Sequence, residues 1–362
     1  MAKTLLRPRI ILLALMFVLL AIFPWMYKWP FFGHFLIEFR TFQATRFAIW
    51  LIILMGLNLL TGYSGQISLG HAALIAIGAY VAAILMKDYN TPVFAAVLAA
   101  GIVTGVIGFI IGIPALRLSG PYLAIATLAL IIVLPQIIKH PFMVDHFHTG
   151  GVNGILLQTP HAPTNLGGRV TDDQWLYYCC MLPAIIMTTM AWSLTRSRMG
   201  RAFVALRDSE VGAQQMGIHV SLYKMTAFGL CSLFAGVGGA LYVYTTPYLG
   251  PSTFDILLSL TLMVMIVLGG LASIVGAICA AIIMTMRIDI TNWIAGVIPA
   301  GDRLGIDQTR GALFGLLLIL SIIFTPRGVA GNFEKIKEAN IERRRSRQER
   351  QGRREEREPA QD

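Results

Sequence analysis

The 362-residue chain is 56% hydrophobic and 13% charged, with a mean hydropathy of +0.68. Soluble domains carry about 25% charged residues, so a soluble globular protein is excluded and an all-α polytopic membrane protein is required. The formal charge of +10 sits in flanks and loops, roughly a third of the charged residues falling after Gly331; it suits a membrane surface, and no aromatic-interleaved basic groove points to nucleic acid.

A membrane span needs about 20 apolar residues. In chain order the apolar runs predict spans at 10–27, 47–61, 69–86, 93–113, 122–138, 175–194, 225–244, 256–268, 274–286 and 311–324. The first exceeds a signal-peptide core and lacks a small-residue cleavage site, so it is read as an uncleaved span. The counted spans give eight to ten transmembrane helices, eight if one broken pair is re-entrant.

Two pairs, 47–61 with 69–86 and 256–268 with 274–286, are short and split by glycine and serine. The first is interrupted by GYSGQISLG and the second by GGLASIVGA, sharing a G-x-x-S core at Gly65/Ser68 and Gly270/Ser273. Weak symmetry of this kind suggests internal duplication around a central site. Backbone that leaves the helix at membrane depth lines a wet cavity or is buried in protein, and small residues also permit close helix packing. Both readings stay open. So do two for His71 in SLGHAA: a group meeting a substrate carboxylate, or structural glue bonded to a backbone carbonyl. Helix N-termini near Ser68 and Ser273 could present N–H groups to an anion.

The 140–174 loop holds one arginine and no lysine, which suits the outer face. His140, His146, His148, His161 and Asp145 crowd it, and they read as a solvated loop more readily than as a metal site. Cys179, Cys180, Cys231 and Cys279 lie in apolar runs without C-x-x-C spacing, as buried small hydrophobes do. Lys3, Arg7 and Arg9, then Arg196, Arg198, Arg201 and Arg207, then the basic tail mark three cytoplasmic segments. Both termini are therefore expected in the cytoplasm, although Lys28, Arg40 and Arg46 fit this topology poorly.

Between two spans, 196–217 (RSRMGRAFVALRDSEVGAQQMG) is the longest polar stretch on that face. Ala202, Ala205, Leu206, Ala213 and Met216 can form an apolar face, with a bend expected at Gly212. Unbent, the segment from Arg201 would run roughly 25 Å as helix. It would dock into a partner or rest on headgroups. No GK occurs, so the chain carries no Walker A lysine. Scattered histidines make no catalytic cluster. A stand-alone secondary transporter or channel is the alternative to an ATP-driven one, but it normally shows ionisable residues within its spans.

GLNLLTGYSGQISLGHAALIAIGAY, SRMGRAFVALRDSEVGAQQMGI, MVMIVLGGLASIVGA, TGGVNGI and TRGALFGLLLILSIIFTPRG stand in the chain in order. Together they resemble the bacterial branched-chain amino acid ABC transporter permeases of the LivM type, over most of residues 47–328. The resemblance implies a 1–330 permease domain in the bacterial inner membrane, followed by a charged cytoplasmic tail at 331–362. It implies import of leucine, isoleucine, valine or related small amino acids and amides. The expected partners are a homologous second permease, two cytoplasmic ABC ATPases, a periplasmic or extracellular solute-binding protein and the lipid bilayer. The chain itself would bind no cofactor, ATP and Mg being used by the partner subunits. Glu210-x-x-Ala213-x-x-x-Gly217 falls where such permeases carry their ATPase-coupling element, and Arg201, Arg207 and Asp208 flank it; Gly212 stands where alanine is expected. The translocation pathway would be drawn from Asn58, Gly62, Gly65, Ser68, Gly70, His71, Gly269, Gly270 and Ser273.

Overall fold

The computed structural model describes residues 41–116, 120–157 and 171–297, with isolated positions at 118, 160, 162 and 315. The expected spans at 10–27 and 311–324, His161 and the 331–362 tail lie outside the described residues.

Among the described residues helix follows the apolar runs, because a bilayer leaves backbone polar groups no partners but their own. In order these are α1 (Thr41–Leu57), α2 (His71–Tyr89), α3 (Val93–Ala115), α4 (Pro121–Lys139), the short α5 (Pro141–Phe147) and α6 (Asp172–Arg196). After these come α7 (Arg198–Asp208), α8 (Glu210–Gln215), α9 (Val220–Tyr244), α10 (Ile256–Gly269) and α11 (Ile274–Val297). Among the described residues six helices are long and apolar enough to cross a membrane, and α10 and α11 add two shorter apolar stretches.

The first broken pair differs from expectation. Neither arm is short: Thr41–Tyr63 runs 23 residues and His71–Tyr89 runs 19. The polar residues Thr41, Gln43 and Arg46 continue the first helix at its start. At its other end the helix widens into π-helical turns over Asn58–Tyr63, which carry it past Gly62. In the second pair α10 stays short at 14 residues while α11 extends to 24.

The central helix is α9, which packs on α3, α2 and α1. Glycine permits the closest approaches. A Cβ at Gly78 would overlap the Gly236 backbone, and one at Gly239 would overlap the Ile75 carbonyl. Gly108 and Gly112 on α3 admit Ser232 and Met225 in the same way. Without a hydrophobic force between helices in lipid, such backbone-to-backbone packing supplies the attraction. The outward faces of α3 and α4 expose Leu98, Ile102, Val106, Ile110, Tyr122, Ile125 and Ile132, an apolar belt that demands lipid-like surroundings.

The two ends of the bundle differ. One gathers Arg196, Arg198, Arg201 and Arg207. At the other, the antiparallel ribbon of β1 (Ile155–Leu156) and β2 (Tyr248–Leu249) lies near α5.

Candidate functional site at the broken helices

The 64–70 segment joins α1 to α2 without helix. His71 at the start of α2 touches Ile53, which precedes Gly62 by nine residues, about 13 Å along a helix. Thus α2 begins inside the bundle, and the segment climbs back from the basic end to reach it. Such backbone must find its partners within the protein. Ser64 N donates to Leu59 O, Gln66 N to Leu60 O, and Leu69 N to the Thr127 hydroxyl on α4 at 3.0 Å. Ser64 Oγ donates to Leu60 O at 2.7 Å and Gln66 Nε2 to Ser64 Oγ at 3.0 Å.

Burial alternates along the segment. Ser64, Gln66, Ser68 and Gly70 are buried, whereas Gly65 is exposed, Ile67 is 41% exposed and Leu69 is half-buried. The polar side chains face inward and bond within the break and the turn before it, Ser64 to Leu60 O, Gln66 to Ser64, and Ser68 Oγ accepting from Gly70 N. The open face is apolar. Ile67 was missed by sequence reasoning; the apolar residue at every second position around Gly65 was the available signal.

At the second break, α10 ends at Gly269, Gly270 takes φ +113 and Ala272 takes φ +57. The Asn58 carboxamide binds this turn at both ends. Nδ2 donates to Ser273 O at 2.9 Å, and Oδ1 accepts from Ala272 N at 2.9 Å. Gly62 completes the contact, since a Cβ there would run into Asn58 Oδ1 and Ala272. The two glycine-broken segments are therefore brought together, with Asn58, Gly62, Gly269, Gly270 and Ser273 at one junction.

Ser68, Gly70 and His71 lie at the other end of the first break. Gly70 is pressed against the Thr127 backbone of α4. His71 is fully buried, with Nε2 3.1 Å from Ile53 O and Nδ1 3.4 Å from Cys231 Sγ. A carbonyl only accepts, so Nε2 carries the proton and Nδ1 accepts from the thiol. Both ring nitrogens are spent inside the bundle. The helix N-termini are engaged too: Ala72 N donates to Ser259 Oγ of α10 at 3.2 Å, and Gly276 N to Ser273 Oγ at 3.2 Å.

The 196–217 segment is two helices, and the bend falls at Ser209 instead of Gly212. Ser209 is extended at φ −163, and its hydroxyl accepts from Gly212 N at 3.1 Å, capping α8. A serine followed by an acid starts a helix better than it continues one. Of the expected apolar face, Ala202, Leu206 and Ala213 are buried, but Met216 is almost wholly exposed. The C-cap turn of α8 swings Met216 out, and Gly217 follows at φ +79. Phe203 takes the buried place, edge-on to Tyr223 of α9 at 6.2 Å.

Arg207 leaves α7 for the first break. Its Nη1 donates to Gly62 O at 3.3 Å, and its side-chain stem lies so close to Gly65 that a Cβ there would stand 2.7 Å from Arg207 Cγ. Gly65 needs its glycine twice over, for this approach and for φ +72. Arg207 also pairs with Asp208 at 3.2 Å. Arg201 turns to the Arg196 carbonyl at 3.4 Å. Glu210 meets Lys224 at 2.7 Å, a partner that sequence reasoning missed because it opens the next span.

At the ribbon end, His148 Nδ1 is 2.7 Å from Asp88 Oδ2, His146 bonds the Phe142 carbonyl at 3.2 Å, and His140 accepts from Phe142 N at 3.3 Å. Among the described residues no three His, Cys, Asp or Glu side chains gather as metal ligands.

Residues 40–322 match the family profile described as "Branched-chain amino acid transport system / permease component". The chain is 29% identical over 308 residues to the high-affinity branched-chain amino acid transport system permease protein LivM of Salmonella typhimurium, covering 79% of this chain and 68% of the relative. Its likeness to the LivM protein of Escherichia coli is the same 29%, over 309 residues, with the same coverage. A shorter likeness, 27% over 109 residues, links it to the autoinducer 2 import system permease protein LsrC of Yersinia pestis, covering 29% of this chain and 31% of that one. No solved structure matches the chain.

Proposed function

This chain belongs to the family of branched-chain amino acid transport permease components, and on that premise we propose that it is one membrane-spanning subunit of an ATP-driven importer. Its cargo is leucine, isoleucine, valine or a related small amino acid or amide. A second homologous permease completes the path, a solute-binding protein delivers the cargo, and two ABC ATPases using ATP and Mg bind at the basic end, which faces the cytoplasm.

The observation that carries this reading is the clasp of Arg207 on Gly62 and Gly65. It joins the basic α7–α8 pair to the first break, and Asn58 joins that break to the second. Movement imposed on α7 by an ATPase would reach both breaks through contacts already made, as two-state coupling elements require. The solute would meet the open strip of Gly65, Ile67 and Leu69. Such a strip gives an aliphatic side chain a favourable surface without the deep polar site that would hold it. Ser68 and His71 hold the walls in place from behind.

The test is purification of the chain with its native membrane partners, followed by ATPase assay with and without a leucine-loaded binding protein. Co-purification of a second permease and ATPases, with stimulated hydrolysis, is the expected result. A chain that purifies alone and moves solute in liposomes would make it a secondary transporter or channel.

A further inference from the structure

Lys224 lies on α9 close to its start and is only 5% exposed. An ammonium withdrawn from water needs a partner, and its Nζ is 2.7 Å from Glu210 Oε1. Glu210 opens α8, where an acid is favoured by the helix dipole. Six residues are too few for a helix to hold its own shape, so α8 depends on what fastens it. Ala213 is its one buried side chain. The Glu210–Lys224 pair is a further attachment, and it is directed at the central helix.

We infer that Lys224 is a positioning residue for energy coupling: its ion pair with Glu210 fastens α8 to α9, so that displacement of α8 is carried into the centre of the bundle. The inference rests on the importer reading above and assigns Glu210 an inward task within its own chain, through the carboxylate oxygen that meets the lysine. The rest of the route is closely packed. Glycine contacts lock α9 to α2 and α3, and Cys231 of α9 touches His71, the first residue of α2. A shift of α9 along its axis therefore moves the inner end of the first break without passing through Arg207.

The experiment uses the complete complex in proteoliposomes and compares Lys224→Met, Lys224→Arg, Glu210→Gln and the exchange Glu210→Lys with Lys224→Glu. The reading is solute transported per ATP hydrolysed, which loss of protein alone does not alter. Lys224→Met and Glu210→Gln should each lower that ratio about tenfold, Lys224→Arg should keep it, and the exchange should return it to within about threefold of wild type. A wild-type ratio in Lys224→Met overturns the inference and leaves the importer standing. An exchange no better than the single changes also overturns it, even if Lys224→Met assembles poorly. Wild-type chain recovered without any ATPase overturns the importer reading, and this inference with it.

Discussion

Gly65 shows how much a single missing Cβ decides. Its φ of +72 would strain any L side chain by about 1–2 kcal/mol. Its neighbour Arg207 fills the space a Cβ would take. Gly65→Ala should therefore lower the melting temperature of the purified chain and slow uptake. Pairing it with Arg207→Ala removes the Cγ clash but leaves the strain, so the double change should lose less than the sum of the two. Strictly additive losses would mean that the two residues do not touch. The sequence advertised Gly65 by its G-x-x-S setting but gave no sign of Arg207, because the contact joins positions 142 apart in the chain.

At the scale of elements, the two breaks are bound by one carboxamide. Asn58→Leu would leave the partly buried Ala272 N–H without its acceptor, at a cost of about 0.5–1.5 kcal/mol. Thr61, three residues on, is a built-in control. Its hydroxyl is buried without a hydrogen-bond partner, so Thr61→Val should leave stability unchanged or raise it. Equal losses from both substitutions, followed by thermal unfolding in detergent, would sink the idea that Asn58 is a specific link. Sequence symmetry had already paired these segments as similar. That they touch is a tertiary fact, because Asn58, where the π-helical turns begin, meets the turn before α11 only in the assembled bundle.

Seen whole, the bundle has an arginine-rich end and a ribbon end, and the proposed topology puts the first in the cytoplasm. Leu156 and Met216 are both highly exposed at opposite ends, whereas Cys179, Cys180 and Cys231 are buried. A membrane-impermeant thiol reagent applied to spheroplasts should label Leu156→Cys and spare Met216→Cys. Inside-out vesicles should give the reverse. Labelling of Met216→Cys from outside would invert the topology and remove the proposed ATPase face.

The sequence by itself determined that the chain is a helical membrane protein, where most of its spans lie, and where the helices break. Those features follow from local apolarity and from glycine, which act over a few residues. Only the tertiary structure decided which face of the break is open. His71 looked functional because a polar group in an apolar run is costly, yet that same cost drives it inward to bond Ile53 and Cys231. It leaves Gly65 and Ile67 outside. The Glu210–Lys224 pair was decided in the same way, by a buried charge whose partner comes within reach only once the helices are assembled, whereas the bend at Ser209 is a local cap on Gly212 N.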